Sequence, residues 1–154
     1  MIEPLITVAG RVPLRILLVE DHADTAEVFA RLLELRGFRV TLTGTAASAL
    51  DQARHLPFDV LLCDIQLPDG DGCQLLLKLR GELGMDALVA IAFSGYDGKA
   101  IERAKAAGFD AYMVKPVESK QLFSVLEQVC RSDDPPAPQS ARREFITILA
   151  NSTK

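Results

Sequence analysis

Five polar residues stand beside short apolar runs of the sequence. They are Glu20, Asp21, Asp64, Ser94 and Lys115, and they follow four different runs. If those runs are parallel strands, their carboxyl ends meet at one edge of a sheet and bring the five side chains together. Three neighbouring carboxylates repel one another, and a hard divalent cation held by oxygen ligands relieves that repulsion. We therefore expect a Mg2+ site at this edge.

Asp64 is the candidate nucleophile of this group. A carboxylate can accept a phosphoryl group as an acyl phosphate, while a metal ion neutralises charge on the transferred group. Lys115 would supply a fixed positive charge, and the Ser94 hydroxyl would hydrogen-bond a phosphoryl oxygen and so report the modification. Each residue alone is more typical of a helix cap or a surface charge, but the combination of four strand ends favours the functional interpretation.

The elements that must position these side chains alternate along the chain. Five short apolar runs are predicted strands, and each precedes a segment of helical periodicity. The strands are Ile16–Val19, Val40–Thr43, Val60–Cys63, Leu88–Phe93 and Ala111–Val114. The helices are Asp24–Arg36, Ala46–Ala53, Gly72–Leu83, Gly98–Ala107 and Ser119–Cys130. This order predicts an α/β fold with a doubly wound, five-stranded parallel sheet and five helices.

The length and composition suit one globular domain. Of 154 residues, 49% are hydrophobic and 25% are charged, which is the balance of a folded chain rather than a disordered one. We place the domain at residues 14–131, after an N-terminal extension at 1–13 and before a Pro-rich linker and short C-terminal tail at 132–154. Within that tail, Arg142–Leu149 is predicted to form a short helix, in a segment that is disordered or weakly docked.

Charge and cysteine content exclude several classes of function. The net charge is -4 and no basic cluster stands out, which argues against nucleic-acid binding by this domain. The three cysteines are odd in number and lack the spacing of a zinc site or a disulfide scaffold. Because Met1–Gly10 does not have the apolar stretch of a signal peptide and no run is long enough to span a bilayer, we expect a cytoplasmic protein without membrane contact.

Four motifs together resemble the receiver domains of two-component response regulators, over approximately Arg15–Arg131. They are Leu18–Asp21, Cys63–Pro68 with Gly70 and Gly72 behind it, Phe93–Gly95, and Lys115-Pro116. The resemblance implies a flavodoxin-like sheet of strand order 2-1-3-4-5. It also implies that a histidine kinase or phosphotransfer protein donates a phosphoryl group to this domain.

The same resemblance assigns roles to individual residues. Asp64 is the implied phosphoacceptor, and Asp21, Asp64 and the backbone carbonyl of Gln66 are the implied direct Mg2+ ligands. Glu20 is an implied ligand acting through water, in place of the more common aspartate. Lys115 is the implied phosphate-contacting lysine, and the Lys115-Pro116 bond is a candidate cis peptide, since cis bonds are largely confined to proline.

The resemblance also implies roles for three further residues in the conformational change and in the hydrolysis rate of the acyl phosphate. Tyr112 matches an aromatic residue that turns inward when the hydroxyl residue, here Ser94, moves toward the phosphoryl group. Gln66 and Tyr96 stand two residues beyond Asp64 and Ser94, where family members tune water attack on the acyl phosphate. We hypothesise that Tyr96 partly shields the phosphoryl group and lengthens its life.

The implied output is a change in the face formed by the fourth helix, the fifth strand and the fifth helix. A downstream protein or a fused output domain would bind this face. Formation of a homodimer through the same face is an open alternative. The sequence also leaves open whether the receiver stands alone or is part of a hybrid histidine kinase.

Other chemistries fit less well. A Mg2+-dependent aspartyl-phosphate phosphohydrolase would place a second aspartate two residues after the nucleophile, where Gln66 stands. A phosphorylation-independent module would lack one of the acidic residues or the lysine. His22 is disfavoured as a metal ligand because Mg2+ prefers oxygen, and Asp69–Gly72 is interpreted as a turn rather than a calcium loop. Cys63 and Cys73 are interpreted as unreactive core thiols.

Overall fold

Six parallel strands form the central sheet of this computed structural model, which describes residues 13–130 and 145–148. The strands are β1 (Arg15–Val19), β2 (Arg39–Thr43), β3 (Val60–Asp64), β6 (Val89–Ser94), β7 (Ala111–Val114) and β8 (Ile146–Ile148). Their order across the sheet is β2-β1-β3-β6-β7-β8. The first five reproduce the predicted order 2-1-3-4-5, and the α/β fold class is confirmed.

Two short strands between β3 and β6 form a separate hairpin. It pairs β4 (Gln66–Leu67) with β5 (Gly70–Asp71) in antiparallel fashion, directly after the central strand β3. The turn of the hairpin contains Asp69, whose carboxylate accepts hydrogen bonds from the N–H groups of Ala46 and Ala47 at 2.8 and 3.0 Å. The predicted turn therefore also links this loop to the first turn of the helix that precedes β3 in the chain, α2 (Ala46–His55).

Within residues 13–130, five helices flank the sheet, as predicted. They are α1 (Ala23–Leu35), α2 (Ala46–His55), α3 (Gly72–Gly81), α4 (Gly98–Ala107) and α5 (Ser119–Cys130). Short polar side chains cap three of them, because Thr45, Asp71 and Asp97 accept backbone N–H groups of the first turns. Gly108 ends α4 at a φ of 101°, a left-handed conformation that glycine adopts without strain. In the residues described, no helix is long and apolar enough to cross a bilayer.

The apolar core lies on both faces of the sheet. One buried cluster packs β-strand residues against α2, α3 and α4, and the other packs them against α1 and α5. Every residue of β3 is buried, which is typical of a central parallel strand covered on both faces. The carboxyl end of β3, where Asp64 lies, is therefore held by packing from both layers.

The C-terminal segment corrects one prediction. The expected helix over Arg142–Leu149 contains instead the strand Ile146–Ile148, which adds to β7 in parallel and makes the sheet six-stranded rather than five-stranded. Two β-branched isoleucines flank Thr147, an alternation that suits a strand, and the edge of β7 offers backbone groups to pair with it. Residues 1–12, 131–144 and 149–154 lie outside the described residues, and they include the rest of that predicted helix apart from Phe145.

Replacing Gly72 with alanine should destabilise the protein. A Cβ at this first residue of α3 would lie 2.5 Å from the carbonyl oxygen of Asp64 and 3.0 Å from the Cys63 sulfur. We expect this overpacking to lower the free energy of unfolding by about 1–3 kcal/mol, measured by urea denaturation.

Gly98 offers a matched control for this substitution. It also begins a helix, and an added Cβ there meets no atom within 4 Å. The Gly98→Ala protein should be unchanged or more stable by about 0.5 kcal/mol. An equal loss of stability in both variants would contradict the role assigned to the close approach at Gly72.

Candidate functional site

The five residues singled out in the sequence meet at the carboxyl edge of the sheet. Glu20 and Asp21 follow β1, Asp64 ends β3, Ser94 ends β6 and Lys115 follows β7. These are neighbouring strands, because β1 pairs with β3, β3 with β6, and β6 with β7. The parallel registers therefore place all four strand ends at the same level.

Asp64 is the centre of the site. Its buried carboxylate accepts the Ser94 hydroxyl at 2.9 Å and the Gln66 backbone N–H at 3.0 Å through Oδ1. Its other oxygen, Oδ2, accepts the ammonium of Lys115 at 2.8 Å. Both Asp64 oxygens are thus oriented by residues that were predicted from the sequence to lie at this site.

Lys115 joins two carboxylates. Its ammonium lies 2.9 Å from Glu20 Oε1 and 2.8 Å from Asp64 Oδ2. Burial of this side chain would lower its pKa, but hydrogen bonds to Asp64 and Glu20 outweigh burial and raise the pKa above its ordinary value. Burial likewise opposes ionisation of Glu20, and the contacts with Lys115 and His22 reverse this and lower the Glu20 pKa. Lys115 and Glu20 each therefore favour the charged form of the other.

His22 holds the second oxygen of Glu20, a role that the sequence analysis missed. The backbone N–H of His22 donates to Glu20 Oε2 at 3.0 Å, and its ring Nδ1 lies 3.1 Å from the same oxygen. The only signal for this contact in the sequence is the position of His22 two residues after Glu20. Glu20 is consequently clamped between His22 on one oxygen and Lys115 on the other.

Three side chains at the end of β1 lie close enough together to share a cation. Ligand atoms of Glu20, Asp21 and His22 lie within 4.8 Å of one another, whereas Asp64 is not part of that group and meets Glu20 through Lys115. The Asp21 side chain is 35% exposed, which leaves its carboxylate accessible from solvent. Since the carboxylates of Glu20, Asp21 and Asp64 supply oxygen donors, the chemistry of the site fits a hard divalent cation such as Mg2+.

Tyr112 is completely buried beside the site. Its hydroxyl donates to the backbone carbonyl of Gly95 at 2.8 Å, and burial raises its pKa. Gly95 directly follows Ser94, so the tyrosine hydroxyl contacts the same loop whose serine contacts Asp64. The described conformation therefore combines a Ser94 hydroxyl on the carboxylate with an inward Tyr112.

The remaining candidate residues occupy distinct environments. The Lys115-Pro116 peptide bond is cis, as the sequence suggested. Tyr96 is 70% exposed, and the Gln66 side chain is also exposed, so both lie on the solvent side of the site. Burial raises the pKa values of the Cys63 and Cys73 thiols, consistent with unreactive core residues.

Comparison with known proteins yields one consistent result. A family model described as the response regulator receiver domain matches residues 16–127. The signal transduction histidine-protein kinase BarA of Escherichia coli K12 is 29% identical over 126 residues, which cover 79% of this chain and 13% of BarA. The DNA-binding response regulator MtrA of Mycobacterium leprae is 32% identical over 124 residues, which cover 80% of this chain and 54% of MtrA. The chain thus spans less than two thirds of either relative.

A solved structure is similar over most of the domain. It is the crystal structure of a CheY-like response regulator receiver domain protein from Methanospirillum hungatei JF-1, with a TM-score of 0.69 and 31% identity. The similarity covers 74% of this chain and 90% of that one. Sequence and fold therefore point to the same family.

Replacing Lys115 with methionine should destabilise the protein most strongly near neutral pH. The variant leaves Glu20 and Asp64 as buried carboxylates without their shared ammonium group. Breaking a fully buried pair costs about 3–5 kcal/mol, and because Lys115 is 29% exposed we expect about 2–3 kcal/mol at about pH 7.

The loss should shrink in acid. The lowered Glu20 pKa stabilises the wild type above the ordinary value of 4.5, and this contribution disappears as the pH falls through the folded-state pKa. In the variant, burial without the lysine favours protonated Glu20, so the folded variant gains relative stability in acid. Urea denaturation across this range measures the difference, with exposed Lys120→Met as the control. A pH-independent deficit, or an equal one in the control, would contradict this electrostatic account.

Proposed function

Because the chain belongs to the response regulator receiver domain family, we propose that it is a phosphorylation switch in which Asp64 accepts the phosphoryl group. The observation that carries this proposal is the environment of the Asp64 carboxylate. Ser94 and Lys115 contact its two oxygens at 2.9 and 2.8 Å, so a hydroxyl donor and a cation stand where a phosphoryl group on Asp64 would need them.

The proposed reaction is transfer from a phosphohistidine. An Asp64 oxygen attacks phosphorus, and the new P–O bond forms as the P–N bond to the donor imidazole breaks. Lys115 moves its hydrogen bond from the carboxylate to a phosphoryl oxygen and keeps its charge beside the new anion. The donor is a histidine kinase or a phosphotransfer protein.

The proposed cofactor of this transfer is Mg2+. Asp21, Asp64 and the backbone carbonyl of Gln66 would hold it directly, and Glu20 would hold it through water. When bound, it supplies positive charge that neutralises the phosphoryl oxygens during transfer. His22 would keep Glu20 oriented toward the site, because it already binds one Glu20 oxygen in the described structure.

The proposed output passes through Ser94 and Tyr112. The phosphoryl group would hold the Ser94 hydroxyl, and the loop that follows would keep Tyr112 buried through its bond to the Gly95 carbonyl. The surface altered in this way is the face formed by α4, β7 and α5. A downstream protein or a fused output domain would read it, and the chain would act as a signalling module rather than a turnover enzyme.

Replacing Asp64 with asparagine should abolish phosphorylation. An amide cannot attack phosphorus as a carboxylate does, so incubation with acetyl phosphate and Mg2+ should add one phosphoryl group to the wild type and none to Asp64→Asn. Intact mass measures both. The control is Asp51→Asn, which changes an exposed carboxylate on α2 and should leave phosphorylation unchanged. Modification of the Asp64→Asn protein, or an unmodified wild type with several donors, would contradict the proposal.

Replacing Tyr96 with alanine should shorten the life of the phosphoryl group. The exposed ring lies two residues beyond Ser94, and its removal would open a path for water to the acyl phosphate. We expect hydrolysis to accelerate roughly threefold, equivalent to about 0.7 kcal/mol in the barrier. The decay of the phosphorylated mass measures the rate, and Leu77→Ala, which removes another exposed apolar side chain, is the control. Equal decay in wild type and Tyr96→Ala would refute the shielding role.

A further inference from the structure

The strand β8 occupies the outer edge of β7. Its three residues pair in parallel with Ala111, Tyr112 and Met113, and the Ile146 N–H donates to the Asp110 carbonyl at 3.1 Å. Strand addition of this kind satisfies backbone groups that an edge would otherwise expose. The segment that does so comes from beyond α5, since residues 131–144 separate it from Cys130.

Side chains of the same segment contact both layers of the core. Ile146 and Ile148 pack against the cluster that contains α1 and α5 residues, while Phe145 packs against the cluster that contains Tyr112. Phe145, Ile146 and Ile148 are all only partly buried, and Thr147 is exposed. The strand therefore docks at a specific site on the β7 edge. Because it is short and only partly buried, it is typical of a segment that dissociates and docks again.

Tyr112 links the docking site of β8 to the Asp64 site. Its backbone is in register with Thr147, and its hydroxyl binds the carbonyl of Gly95 on the Ser94 loop. With the strand docked, the β8 backbone covers the β7 edge at Tyr112, and Phe145 packs against the same buried cluster as the Tyr112 ring. A docked strand and a fully buried Tyr112 ring therefore occur together in the described structure.

We propose that Phe145–Ile148 is a detachable strand ligand of the β7 edge and that its docking holds Tyr112 in the buried position. The occupant of the edge is the chain's own tail segment, tethered through a linker that contains Pro135, Pro136 and Pro138. Docking of the strand and the inward state of Tyr112 stabilise each other, because each is favoured when the other is present.

One consequence rests on the proposed function. If phosphorylation of Asp64 favours inward Tyr112, it also favours the docked strand, and loss of the strand weakens the phosphorylated state by the same factor. The tail segment would then determine how much phosphorylated protein a given donor maintains. The β7 edge would be closed to other strands in that state.

Tyr112 can be observed by itself in a simple variant background. The chain has two tyrosines and no tryptophan, so Tyr96→Phe leaves Tyr112 as its single tyrosine fluorophore. In that background, Ile146→Asp places a charge on the core-facing side of β8, and Thr147→Asp places the same charge on the exposed residue beside it. Both variants carry the same charge, and only Ile146→Asp places it on a side chain that packs against the core.

The experiment measures acrylamide quenching of Tyr112 in the full chain. We expect quenching in Ile146→Asp to rise from the low value of a buried ring toward that of the urea-unfolded chain, and Thr147→Asp to match its parent. Circular dichroism checks that both variants are folded, and Ile148→Asp is a second disruptive variant. A peptide of residues 142–151 added in excess should restore low quenching to Ile146→Asp. Equal quenching in all folded variants would overturn the proposal.

Phosphorylation supplies a separate readout. Each variant is incubated with acetyl phosphate and Mg2+, and the ratio of phosphorylated to unmodified protein is measured. This ratio should be on the order of fivefold lower for Ile146→Asp than for Thr147→Asp. Equal fractions would overturn the coupling to Asp64. A wild type that accepts no phosphoryl group would instead refute the proposed function, while the quenching result would still decide whether the strand holds Tyr112.

Discussion

The ammonium group of Lys115 is the contact on which the site depends. Glu20 and Asp64 are buried carboxylates at the ends of adjacent strands, and Lys115 lies 2.9 and 2.8 Å from their oxygens. Without a cation between them, two buried negative charges at this distance would strongly disfavour the folded state. The fold can therefore keep both carboxylates buried because a third strand, β7, delivers a lysine to the same place.

Packing also fixes the position of Asp64. The carboxyl end of β3 is buried on both faces and crowded by Gly72, where even a methyl group would approach the Asp64 carbonyl to 2.5 Å. The loop after β6 makes two of the contacts at the site, because Ser94 donates to Asp64 while Gly95 accepts the Tyr112 hydroxyl. The site thus combines a strand end that is packed on both faces with a loop that contacts both Asp64 and Tyr112.

Most of the fold could be predicted from the sequence, for reasons visible in single elements. The strand Ala111–Val114 and the helices Gly98–Ala107 and Ser119–Cys130 have the predicted bounds, since each has a clear apolar pattern and recognisable ends. The segment Arg142–Leu149 was misassigned as a helix because three strand residues carry almost no periodic signal of their own. Ile146–Ile148 is a strand because β7 has an edge to pair with, and that edge is a property of the assembled sheet.

The sequence by itself determined which chemical groups are present and that parallel strands would bring them to one edge. Asp21, Asp64, Ser94 and Lys115 each follow from residue type and from position after an apolar run. Only the tertiary structure decided their contacts: that Lys115 bridges Glu20 and Asp64, that His22 holds the other Glu20 oxygen, and that Tyr112 is turned inward. These depend on distances of about 3 Å between residues up to 95 positions apart, which strand pairing and core packing set and which local sequence patterns do not encode.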